Sequence, residues 1–145
     1  MRILIVDDHA DTKCIGIMQE CDKRGIEVEV KKAINPALQR IVYGKEKVNG
    51  IICEKKEEID GIILDMGLPI YENKWVEDAN AGECVLRELK RRKKKIPVLI
   101  FSETPLKKSA YPHIFGQMKN WYVMEEAEKF NQFIEELQRR EKEQQ

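Results

Sequence analysis

Short apolar runs alternate along this chain with longer stretches in which apolar residues recur at helical spacing. That rhythm predicts a β/α order before any single residue is weighed. Residues 3–6, 59–64 and 97–101 read as buried strands. Residues 26–30 alternate Ile and Val with glutamates, the period-two pattern of a strand near a sheet edge. A helix is predicted from Asp11 or Thr12, either of which can cap it, to Arg24, with Ile15, Ile17, Met18 and Cys21 on its apolar face and Gly25 as its stop. Residues 36–58 read as helical, with Pro36 in the first turn and a break expected at Gly44 and Gly50. A further helix is predicted over 82–94 with Val85, Leu86 and Leu89 inward. A closing helix over 126–141 carries Phe130, Phe133, Ile134 and Leu137. Residues 103–119 are weakly periodic, Pro105 and Pro112 limit any helix between them, and 121–124 reads as the fifth strand. Parallel strands need crossover connections, so the expected fold is a doubly wound, five-stranded parallel α/β sheet.

The 145 residues suit one domain, expected over 1–138 with a charged tail over 139–145. Lysine plus arginine and aspartate plus glutamate both number 26, so overall charge points neither to nucleic acid nor to a membrane surface. No apolar stretch approaches the roughly 20 residues that span a bilayer, and a cytoplasmic location is expected. Cys14, Cys21, Cys53 and Cys84 show no CxxC pairing and read as reduced thiols. The basic run over 87–95 complements a helix C-terminus and needs no nucleic-acid partner.

Three carboxylates fall where strands should end. Asp7 and Asp8 follow the first buried run and Asp65 follows the third, and a parallel sheet brings such ends to one carboxyl edge. The resulting acidic pocket can hold a divalent metal. Acidic residues are also favoured as caps and turns before a helix, which leaves Asp7 and Asp8 a purely structural alternative.

The strings Ile3-Leu4-Ile5-Val6-Asp7-Asp8-His9, Ile63-Leu64-Asp65-Met66-Gly67-Leu68-Pro69 and Pro97-Val98-Leu99-Ile100-Phe101-Ser102 occur in order, each at a strand end. In this the chain closely resembles the receiver domains of two-component response regulators, of the chemotaxis type, over nearly its whole length. The resemblance implies a flavodoxin-like fold with strand order 2-1-3-4-5. It implies that Asp65 is the phosphoacceptor, that Asp7 and Asp8 help to bind Mg2+, and that Ser102 is the switch hydroxyl. Asp8, Asp65 and the main-chain carbonyl of Gly67 would be direct ligands, with Asp7 acting through water, since magnesium takes oxygen ligands and keeps several waters. A carboxylate can attack phosphorus only if a hard cation offsets the charge that develops.

Tyr122, or else Trp121, falls near the family's switch aromatic, although core packing is the better explanation of an aromatic there. Two positions depart from the family pattern. Glu103 stands beside Ser102 where a small residue is usual, and Met124 or Glu125 stands where the family has a lysine past its fifth strand. The stretch 70–81, beginning beside the pocket, is longer than usual and carries Tyr71 and Trp75, which suits either a lid or partner contact or simple surface packing.

The expected function is two-component signalling by a stand-alone receiver, a phosphoacceptor regulatory domain rather than a conventional enzyme. Its expected partners are a sensor histidine kinase or phosphotransfer protein and a downstream protein, with a homodimer allowed. The alternative is a pseudo-receiver, a protein-binding module that works without phosphorylation. A flavodoxin-type carrier is set aside, because Asp7 and Asp8 would repel the phosphate such a loop must cradle.

Overall fold

In the computed structural model, residues 1–71, 81–103 and 111–144 are described. Among them the order is β1 Arg2–Val6, α1 Ala10–Lys13, α2 Ile15–Lys23, β2 Glu27–Lys31, α3 Ile34–Tyr43, β3 Lys45–Val48, β4 Ile51–Glu54, β5 Gly61–Leu64, α4 Gly82–Arg91, β6 Val98–Phe101, β7 Ile114–Met118 and α5 Met124–Glu143. A five-stranded sheet has the order β2-β1-β5-β6-β7, and every pairing in it is parallel. With the hairpin β3-β4 left aside, this is the expected order 2-1-3-4-5.

Alternation along the strands divides the core into two layers. Leu4, Val6, Ile62, Leu64, Val98 and Ile100 face α3 and α4, where they meet Ile41, Val85, Leu86 and Leu89. Ile3, Ile5, Ile63, Leu99 and Phe101 face α2 and α5, where they meet Ile17, Cys21, Phe130 and Phe133. Because both faces are covered, β5 and β6 are buried at every position, which explains their unbroken apolar sequence.

Three expected elements are corrected. The single helical region over 36–58 is instead α3 followed by an antiparallel hairpin, with Lys45 opposite Glu54 and Val48 opposite Ile51. Gly44, at φ +61°, ends α3 in the left-handed conformation. Asn49 and Gly50, at φ +50° and +79°, form the two-residue turn with both central φ positive that suits the twist of a hairpin.

The fifth sheet strand is Ile114–Met118, not 121–124. Past it, the Asn120 side chain accepts the Tyr122 backbone N–H at 2.9 Å, turning the chain, and α5 begins at Met124. The apolar look of Trp121-Tyr122-Val123-Met124 has a different origin. Trp121 packs edge-on against Phe130 at 5.2 Å, while Tyr122 and Met124 are 82% and 86% exposed. The first helix is also divided, at Cys14, into α1 and α2.

Candidate functional site

The carboxyl edge gathers the ends of β1, β5 and β6. Asp7 continues the β1 ladder by donating its N–H to the Lys31 carbonyl at 3.0 Å, and Asp65 does the same to the Val6 carbonyl at 2.9 Å. The β1–β5 register therefore sets the two carboxylates side by side. One oxygen each of Asp7, Asp8 and Asp65 lies within 4.8 Å of the others. Three hard oxygen donors gathered in this way could hold a divalent cation. Asp7 also performs the structural task open to it, since its Oδ1 accepts the His9 N–H at 2.8 Å and starts the turn into α1. Asp8 Oδ2 lies 3.3 Å from His9 Nε2.

The ammonium of Lys13, on α1, stands among these acids. It is 3.2 Å from Asp7 Oδ2 and 3.6 Å from Asp65 Oδ1, and it donates to the Phe101 carbonyl at 2.6 Å. It also sits 4.4 Å from the centre of the Phe101 ring. Burial pushes the Asp65 carboxyl above the usual aspartate range; the Lys13 charge opposes this, the Asp7 charge adds to it, and hydrogen bonds from the Gly67 N–H and the Ser102 hydroxyl again oppose it. The Cys14 thiol, 3.7 Å from Asp7 Oδ2, is pushed up to about 12 by burial and by the Asp7 charge.

Ser102, buried at the end of β6, is held between strands by its N–H to the Met118 carbonyl at 3.1 Å, and its own carbonyl accepts Gln117 Nε2 at 2.8 Å. An open cavity of about 450 Å³ extends from Asp65 and Ser102 and is lined also by Lys13, Glu103, Lys119 and Tyr122. Glu103 is exposed at its mouth. Gly67 lies beside Asp65, its N–H 3.4 Å from Oδ1.

Several expected positions change with the true fifth strand. Tyr122 lies in the turn after β7 and faces solvent, so it is not a strand aromatic. Met124 and Glu125 belong to the first turn of α5, away from the strand end. The residue directly after β7 is Lys119, exposed at the cavity with its N–H bonded to Glu126 Oε2 at 3.0 Å. A lysine thus does follow the last strand, and neither Met124 nor Glu125 stands at that strand's end. Of the stretch 70–81, residues 72–80 lie outside the described residues; Pro69 and Ile70 accept the Ile34 and Asn35 N–H groups at 3.0 and 2.9 Å at the start of α3.

Two residues with a role here were missed. Lys13 carried only the signal of a base in the first turn after two acids. Gly82 read as a helix start, yet a Cβ there would come within 2.6 Å of the Asp65 carbonyl and 2.8 Å of Met66 Cα, so glycine alone lets α4 seat against the acceptor turn.

No family model and no curated protein matches the sequence. Solved structures do. A CheY-like response regulator receiver domain protein from Methanospirillum hungatei superposes with a TM-score of 0.65 at 19% identity, over 98% of this chain and 97% of that one. The fold is that of a response regulator receiver domain. A second structure with the receiver fold, the response regulator TrrA from Thermotoga maritima in complex with Mg2+ and BeF, gives 0.61 at 19% identity over 90% and 96% of the two chains. TrrA in complex with the histidine kinase ThkA gives 0.60 at 17% identity over 94% and 97%. Among the described residues of this receiver fold, no helix is long and apolar enough to cross a membrane.

Proposed function

We propose that the chain is a cytoplasmic receiver in two-component signalling that accepts a phosphoryl group on Asp65. The observation that carries this is the cluster of three carboxylates that the carboxyl edge gathers around Asp65. An anionic donor could not approach such a cluster without positive charge beside it. An Asp65 oxygen would attack phosphorus, forming an acyl phosphate as the bond to the donor's leaving group breaks. Asp7, Asp8, Asp65 and the Gly67 carbonyl would hold Mg2+, which when bound would neutralise charge on the phosphoryl oxygens. Ser102 would donate to one of those oxygens, and the cavity rimmed by Glu103 and Lys119 would admit the donor.

A sensor histidine kinase or phosphotransfer protein fits as donor, in keeping with the kinase complex formed by TrrA. The output would be a protein partner, with homodimerisation one such contact. The test is exposure of the protein to acetyl phosphate with Mg2+. Intact mass is expected to rise by one phosphoryl group in wild type and not in Asp65→Asn. An unlabelled wild type, under conditions that label another receiver, removes the phosphoacceptor role.

One observation favours a second reading, a pseudo-receiver. Lys13 already partly balances the acids without any phosphoryl group. In that case Asp65→Asn leaves partner binding unchanged.

A further inference from the structure

We infer that Lys13 is a tethered competitor of the divalent metal: its ammonium holds the acidic cluster together, and metal can load fully only as that ammonium leaves its place between Asp7 and Asp65. This rests on the metal-dependent role proposed for the cluster.

The geometry gives three grounds. The ammonium contacts two of the three carboxylates that would share the metal, at 3.2 and 3.6 Å, so it and a dication would be a few ångströms apart in a half-desolvated site. Like charges so close repel strongly at low effective dielectric, and the monovalent, flexible partner yields. Lys13 also has somewhere to go. Its side chain is 27% exposed and lines the open cavity, whereas Asp7 is 2% exposed and cannot follow it.

The third ground is the support beneath it. Lys13 ends α1, a four-residue helix, and Cys14 at φ −105°, ψ 8° breaks the connection to α2. The Cys14 N–H bonds the Ala10 carbonyl at 3.1 Å, so the backbone is held and the release is a swing of the Lys13 side chain. When the ammonium leaves, the Phe101 carbonyl loses its 2.6 Å donor directly beside Ser102. Metal occupancy is thereby communicated to the end of β6 before any phosphoryl group arrives.

The test is calorimetric titration of Mg2+ and Mn2+ into the metal-free full chain. Lys13→Met keeps the alkyl stem over Phe101 and removes the charge, while Lys13→Gln also keeps a donor for the Phe101 carbonyl. Both variants should bind metal roughly tenfold more tightly than wild type. Lys23→Met, which removes an exposed lysine at the end of α2, should stay within about threefold. In amide NMR spectra, Ser102 and Glu103 should shift on metal addition to wild type and much less so in Lys13→Met. Circular dichroism checks that each variant is folded. Metal binding by wild type with equal or weaker binding by both Lys13 variants overturns the inference and leaves the receiver function standing. Absence of metal binding in every protein overturns both.

Discussion

The centre of the sheet and its last edge are built to different tolerances. β5 and β6 are buried at every residue and pair in unbroken register, so the positions of Asp65 and Ser102 are over-determined by packing on both faces. β7 is only partly buried, carries Gly116 and Gln117 in its interior, and pairs with β6 through a register shift between Val98 and Leu99. Rigid strands hold the groups that must meet at fixed distances. The looser edge holds Lys119, Trp121 and Tyr122, which border the cavity without belonging to the acidic cluster.

Substitutions can break that contrast. Ile62→Ala, in the centre, should cost about 2–5 kcal/mol in urea denaturation, because a fully buried side chain leaves a cavity between two packed layers. Gly82→Val should cost about 2 kcal/mol and also weaken metal binding, since the new Cβ meets backbone of the acceptor turn rather than a side chain that can move. At the edge, Phe115→Ala should cost only about 1 kcal/mol, the ring being 39% exposed and touching Phe133 at 5.7 Å between centroids. An edge substitution as costly as the central one would show that β7 is as tightly specified as β5.

The smallest effect should have the opposite sign. Burial raises the Asp65 pKa in the folded state, so the folded protein holds that proton more tightly than the unfolded chain does. Stability from this group is therefore lost as pH rises from the ordinary aspartate range through the raised value, and stays lost above it. In metal-free buffer Asp65→Asn should melt slightly above wild type at pH 7, with the difference closing as pH falls towards 4. A lower melting temperature for the variant at neutral pH would mean that Lys13 more than compensates for burial.

The same contrast explains what could be read from sequence. Ile3 to Val6, Ile62 to Leu64 and Val98 to Phe101 announce themselves because burial on both faces demands uninterrupted apolar residues, and the acids at their ends then follow from topology. β7 was hidden because an edge strand tolerates glycine and glutamine, while the neighbouring Trp121-Tyr122-Val123-Met124 imitates a strand for reasons of its own. The hairpin was legible in principle, since Val48-Asn49-Gly50-Ile51 carries the turn chemistry, but apolar residues at helical spacing outweighed it. Lys13 could not be found by spacing. Its role comes from a long side chain reaching across the edge to a carbonyl 88 positions away in sequence.

The thiols give the molecule two chemical clocks. Cys14, buried against Asp7 and with its pKa pushed up to about 12, has almost no thiolate at neutral pH, whereas Cys53 stands exposed on the hairpin. An alkylating reagent should therefore mark Cys53 at once and reach Cys14 only when the ground beneath the acids opens. The delay between the two marks would measure how often that opening occurs, and a bound metal should lengthen it.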